Sequence, residues 1–349
     1  MKDKIKFFLG ANSNMDFVSY FQQLQEQSDS MQLLILKGGP GSGKSSLMKR
    51  VLSYAEEKGH NLEIIPCASD PQSLDAVIDK TANFALMDGT APHTQDPFLP
   101  GALHHIMYTG DLWDCEQLNK NKDEIASVSA RISDYHKAAG AYIKASSILL
   151  QENRRYSAKQ INRTTASKFI NQALNVIGEG GSGREVKRLL SAVTVGEIKN
   201  FSRTVEALAD KIYIIEDKWG SAANYILKTI LSHARMKGAQ IIHCPCSIMP
   251  EKTDHIIFPE IRTAFCTQSM GIIFPNGERI SQDTFYTQMS DVSLMEKRFS
   301  QAGTLLDNAC AMVKKAKLLH DDLEAFYVKA MDFSKTDALF ENILYRFYR

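Results

Sequence analysis

Gly38, Gly43, Lys44 and Ser45 stand at the spacing G-x-x-x-x-G-K-S. Glycines so placed let a loop wrap until its backbone N–H groups surround a phosphate. The lysine then reaches the β- and γ-phosphates, and the hydroxyl after it ligates Mg²⁺. Gly38, Gly39, Pro40, Gly41, Ser42, Gly43, Lys44, Ser45 and Ser46 form the expected nucleotide-binding set. Further on, the apolar run 84–87 ends in Asp88. A carboxylate at the end of a buried strand can meet Mg²⁺ or its water shell, so Ser45 and Asp88 are the metal candidates. Lys44, Asp88 and His93 are the catalytic candidates. His93 and Thr90 lie just past the strand end, where ligands gather in open α/β sheets. Asp70, at a second strand end, is a further candidate for substrate or Mg²⁺.

These residues need elements to hold them. Residues 33–36 are all apolar, as in a buried parallel strand. After the glycines, Leu47, Val51 and Leu52 step like a helix that ends near Gly59. Strand, glycine loop and helix are the context the motif requires. Residues 62–66 read as a second strand and 73–79 as a short helix capped by Ser69 or Asp70. Residues 94–112 are rich in proline and glycine and read as a loop or lid, with His104 and His105 in it.

The chain repeats itself. Residues 33–36 align with the apolar run 212–215, Gly41-Ser42 with Gly220-Ser221, and Gly59 with Gly238, at one offset. Leu47, Val51, Leu52 and Ala55 fall on Ile226, Ile230, Leu231 and Ala234. Residues 17–24 and 201–208 both read as short amphipathic helices. The second copy has lost the chemistry. Gly43-Lys44-Ser45 becomes Ala222-Ala223-Asn224, Gly38-Gly39-Pro40 becomes Asp217-Lys218-Trp219, and Asp88 becomes Thr267. A carboxylate where phosphate would approach is repulsive. One working site and one degenerate site are expected.

Each copy is expected to end in a helical hairpin, its arm. Apolar positions 125, 128, 132, 135, 139, 142, 146 and 149 alternate three and four apart, with a break near 153–155 and a second helix up to 177. Positions 302 to 330 repeat the step, and a break at 332–335, with Ser334 as a cap, precedes a last helix. The expected units are 1–182, with an arm at about 115–178, and 183–349, with an arm at about 292–348. The seams can pack within a hairpin, against each other, or against a partner protein. Arg154, Arg155, Arg163, Lys218 and Arg262 are candidate cations for transition-state charge on a γ-phosphate.

The 349 residues suggest about two domains, and 44 % apolar content is enough for their cores. A net charge of +1 gives no bulk case for nucleic acid or an anionic membrane. No apolar run reaches the roughly 20 residues of a membrane-spanning helix, and the group 7–9 is too short for a signal peptide. The six cysteines are scattered, which fits a reducing cytoplasm. His243, Cys244 and Cys246 invite a zinc reading, but no second ligand pair is visible, and buried strand-end thiols fit better.

With these residues laid out, the chain resembles a family of mostly uncharacterised bacterial ATPases with two tandem P-loop modules. The residues that carry the likeness are 36–45, Ser69-Asp70-Pro71 with Ser73-Leu74-Asp75, and the string Asp88-Gly89-Thr90-Ala91-Pro92-His93. Pro100-Gly101 and the stretch 110–114 add to it. Many members keep a second intact P-loop, and this chain departs there. The resemblance implies a duplicated α/β P-loop NTPase fold that binds ATP with Mg²⁺. The expected function is a cytoplasmic ATPase with one working site. A small-molecule or nucleotide kinase and a non-catalytic nucleotide-sensing scaffold are the alternatives.

Overall fold

The computed structural model describes residues 4–26, 30–178, 183–268 and 272–348. The first half opens with β1 (Ile5–Lys6), the hairpin β2 (Gly10–Ser13) and β3 (Asp16–Ser19), and one helical turn, α1 (Gln23–Glu26). Then come β4 (Gln32–Lys37), α2 (Lys44–Glu57), β5 (Leu62–Pro66), β6 (Leu74–Asp79), β7 (Phe84–Asp88) and β8 (His104–Tyr108). Their sheet runs β1-β5-β6-β7-β4-β8. Its β5–β6 and β6–β7 pairs are antiparallel, and the others are parallel. Residues 33–36 are continuously apolar because both sheet faces are covered. Leu34 and Leu36 pack outward on α2, while Leu33 and Ile35 face inward.

Two helices of the first arm follow, α3 (Cys115–Lys120) and the 36-residue α4 (Lys122–Ser157), then α5 (Arg163–Ile177). The second half repeats the plan with β9 (Glu185–Lys187), β10 (Ser191–Val193), β11 (Ile198–Asn200), α6 (Ser202–Leu208), β12 (Lys211–Glu216) and α7 (Ser221–Met236). It continues through β13 (Ile241–Pro245), β14 (Thr253–Phe258), β15 (Thr263–Gln268), β16 (Glu278–Ser281), α8 (Val292–Lys329) and α9 (Thr336–Phe347). Its sheet order, β16-β12-β15-β14-β13-β9, is the same arrangement read from the other edge. Even the register shifts recur, between Ile65 and Pro66 and between Cys244 and Pro245. The chain is therefore α/β, with two similar halves built on mixed, mostly parallel sheets.

Three local expectations are corrected. Residues 73–79 are not a helix: β6 lies inside the sheet with all six residues buried. A short strand buried on both faces lacks the alternation that would distinguish it from a helix. Residues 17–24 split between β3 and the α1 turn, because Asp16 adopts a left-handed φ of 66° that closes a hairpin on β2. Residues 94–112 are not all loop: β8 extends the sheet beside β4. The expected linker 178–183 lies mostly outside the described residues.

The expected helical hairpins are corrected: α4 pairs with α8 instead of α5, and the arms do not fold back on their own halves. Helix α4, about 54 Å long, runs antiparallel along α8 and carries the chain from the first half to the second. Ala139, Ile143, Leu306, Ala309 and Val313 are buried in the seam. Ser146 Oγ donates to Ala302 O at 3.0 Å, and Asn153 Nδ2 to Met295 O at 2.7 Å. The apolar seams are thus spent on each other. Helix α5 then packs on α7 of the second half, through Ala166, Ile170 and Ala173. Helix α9 returns to pack on α2 of the first, through Ile343. The breaks fall at 158–162 and 330–335, and Asp332, not Ser334, supplies the capping carboxylate.

The inner faces of the two sheets meet in one core that holds Phe7, Leu33, Ile35 and Ile65 beside Ile212, Ile214, Cys244 and Ile257. Phe8 and Leu189 exchange backbone hydrogen bonds of 2.8 and 2.9 Å across this contact. Arg188 of the second half pairs with Glu63 of β5, and both are about 97–98 % buried. Lys80 joins from the rim at 3.3 Å and, with Arg188, holds the Glu63 carboxyl below its ordinary range against the opposing effect of burial. Among the described residues, no helix is long and apolar enough to cross a membrane.

Candidate functional site

The loop 38–43 turns because its glycines take φ values that side chains avoid, +155° at Gly38 and +79° at Gly43, the N-cap of α2. A Cβ at Gly38 would stand 2.1 Å from Thr109 Oγ1. Thr109, just past β8, donates to Lys37 O at 3.1 Å and to Ser42 Oγ at 2.9 Å, pinning the loop from the sheet side. Lys44 is 9 % exposed. Its Nζ donates to Gly38 O and Gly39 O at 2.9 and 2.8 Å and lies 3.7 Å from Asp88 Oδ2. Ser45 Oγ accepts from Leu74 N at 3.1 Å, so β6 reaches the first turn of α2. Ser46 points to solvent.

Strand β7 lies parallel to β4 with Asp88 opposite Leu36, which delivers the carboxylate to the loop. Asp88 Oδ1 accepts from Thr90 N and Thr90 Oγ1 at 2.9 and 2.6 Å. A second carboxylate, missing from the sequence-derived set, stands in the same cluster: Asp75, at the start of β6 and 6 % exposed. Burial raises its carboxyl to about 6, His93 opposes that shift, and Asp88 adds to it. His93 is also buried. It stacks on Phe21 at 4.6 Å and places Nε2 3.9 Å from Asp75 Oδ1, and neither ring nitrogen has a hydrogen-bond partner. The signal for Asp75 was its alignment with Asp254 in the repeat, hidden by the helix reading of 73–79.

Asp75 makes a pH prediction. Its folded value, about 6, lies above the 3.8 of an ordinary carboxyl. Below pH 4 both states hold the proton. Between pH 4 and 6 the unfolded chain has released it and the folded chain has not, so stability falls as pH rises through this window. The cost reaches about 3 kcal/mol above pH 6. Denaturant titrations of wild type and Asp75→Asn should diverge over this range, the variant gaining relative stability toward pH 7. Parallel curves would refute the assignment.

The opposite arm covers the loop. A Cβ at Gly41 would lie 2.9 Å from Glu324 O, and one at Gly39 would touch Trp113 and Tyr327. Lys317 of α8 reaches Asp70 at 3.4 Å, and Asp70 also closes its own turn by accepting from Gln72 N at 3.1 Å. The sequence-derived arginines lie elsewhere. Arg154 is beside Gly220, Arg155 pairs with Glu152, Arg163 covers Tyr225, and Arg262 binds Asp210. Lys218 pairs with Glu296. None of these contacts reaches the first loop. Among the described residues, Lys317 is a cation that crosses between halves toward that site.

The second loop is two residues shorter, and α7 begins earlier, so Gly220, with φ +73°, takes the N-cap place of Gly43. Asn224 Oδ1 accepts from Thr253 N as Ser45 Oγ accepts from Leu74 N, so Asn224 keeps the place of Ser45 and Ala223 that of Lys44. The chain's own charges fill this site. Buried Asp217 accepts from Gly220 N at 2.9 Å, Ala223 N at 2.8 Å and Tyr286 Oη at 2.8 Å, as a bound anion would. Lys252 pairs at 2.5 Å with Asp254, the counterpart of Asp75. A cavity of about 40 Å³ remains there, room for about one water. Thr267 stands opposite Ile215 as Asp88 stands opposite Leu36.

The thiol pair is structural. Cys244 and Cys246 are free and buried, and burial pushes both thiols up, Cys246 to about 12. His243 is engaged by Glu185 at 3.0 Å and Thr253 at 3.1 Å. Among the described residues the group spaced to hold a metal is His320, Asp321 and Glu324 on α8, where Asp321 already pairs with Lys317.

A family model described as Nephrocystin 3, N-terminal, matches residues 18–82, the stretch that carries β4, the glycine loop and α2. Searches of curated proteins and of solved structures gave no match.

Proposed function

We propose that the first half is a P-loop NTPase site that binds Mg²⁺-ATP and hydrolyses it, and that the second half is a pseudo-site that buttresses it. The observation that carries this reading is the convergence of Lys44, Ser45, Asp75 and Asp88 at one glycine loop, at the carboxyl ends of two adjacent parallel strands. A hydroxyl and two carboxylates are the oxygen donors that suit Mg²⁺, and Ser45 and Asp88 would hold it, with Asp75 nearby. Mg²⁺, when bound, draws charge from the β- and γ-phosphates. The loop amides and Lys44 orient and neutralise the phosphates. Water attacks the γ-phosphorus, the bond to the bridging oxygen breaks, and ADP leaves with the electron pair. The water proton passes to Asp75, the buried carboxylate beside Asp88. His93 acts through Asp75, as a positioning residue.

Phosphate release by the full chain with Mg²⁺-ATP tests this. Steady release without an acceptor is expected, falling about 10²-fold or more in Asp75→Asn with nucleotide binding retained. Release that requires an added acceptor would make the protein a kinase. Binding without turnover would leave the nucleotide-sensing scaffold, a reading favoured by the direct seat of α8 on Gly41.

A further inference from the structure

The second half has closed its loop and opened a different cavity. Between the end of α4, the start of α5 and the outer face of α7 lies a cleft of about 610 Å³. That volume is in the range of small-molecule sites. Four cations line it: Arg154, Arg155, Arg163 and Lys228. Two of them are balanced, Arg154 by Glu251 at 3.4 Å and Arg155 by Glu152 at 2.9 Å. Arg163 instead lies over the Tyr225 ring, 4.0 Å from its centroid, and among the described residues no carboxylate lines the cleft to meet it or Lys228. Arg154 Nε is buried there without a partner. The walls therefore hold an excess of positive charge, with guanidinium forks suited to bidentate phosphate contacts. Asn224 adds polarity: its Oδ1 accepts from Thr253 N at 3.0 Å, which leaves the Nδ2 donors for a ligand.

We infer that this cleft binds a phosphorylated small molecule of nucleotide size, at a site separate from the glycine loop. The phosphate would lie among Arg154, Arg163 and Lys228. The cleft opens to solvent between three helices, and its volume fits one compact ligand.

The test uses the full chain carrying Lys44→Ala, so that the first loop contributes little. Inorganic pyrophosphate and AMP are titrated calorimetrically. Saturable binding at one site per chain is expected. It should weaken at least tenfold in Arg163→Glu/Lys228→Glu and recover partly in Arg163→Lys/Lys228→Arg, with thermal midpoints unchanged. Absence of saturable binding by both probes would overturn the inference, as would binding that ignores the charge reversal. Single-stranded RNA binding that tightens with length while both probes fail would replace it with a nucleic-acid surface.

Discussion

Lys44→Ala should lower ATP turnover by about 10²–10³-fold, the usual cost of deleting one transition-state cation or donor. Among the described residues, the lysine is the cation held inside the loop, between Gly38 O, Gly39 O and Asp88. Its neighbours from the other half do not replace it, because Lys317 is engaged by Asp70 and Asp321. The substitution also removes two hydrogen bonds to carbonyls, so the thermal midpoint of the ligand-free variant must be measured beside its turnover. Loss of turnover in a protein that still melts cooperatively near the wild-type midpoint isolates the charge. Turnover within threefold of wild type would show that this loop does not handle phosphate.

Arg188→Leu should destabilise the whole chain by about 3–5 kcal/mol, because it strands a buried carboxylate. Glu63 is 3 % exposed, and Lys80 reaches it only from the rim. The double variant Arg188→Leu/Glu63→Leu should recover most of the loss, since a buried ion pair is often no better than apolar residues of similar volume. Because the pair joins β5 to the second half, both halves should unfold in one transition, followed by tryptophan emission: Trp113 lies by the first loop and Trp219 by the second. Separate transitions at the two tryptophans would contradict a shared core.

Much of this was legible in the residues. The strand, loop and first helix follow from continuous apolar character, glycine spacing and a 3.6-residue step. The seams of α4 and α8 follow from their three-four alternation. What they pack against did not, because a seam encodes a face and not its occupant. Nor did β6, whose buried residues carry no period. Misreading it hid Asp75, which a strand delivers to Asp88 and a helix would not. In the second copy Asp217 was read as repulsive to phosphate. Its role as the loop's own anion depends on Tyr286, 69 positions away in sequence, which no local pattern connects to it.

The exchange of arms makes the molecule a clasp. A cut between residues 178 and 183 would divide the sequence into its two repeats yet release neither, since α5 would stay seated on α7 and α9 on α2. Each repeat carries the other's outer wall. The unit that folds is thus the pair, and the boundary between repeats is a boundary in heredity rather than in mechanics.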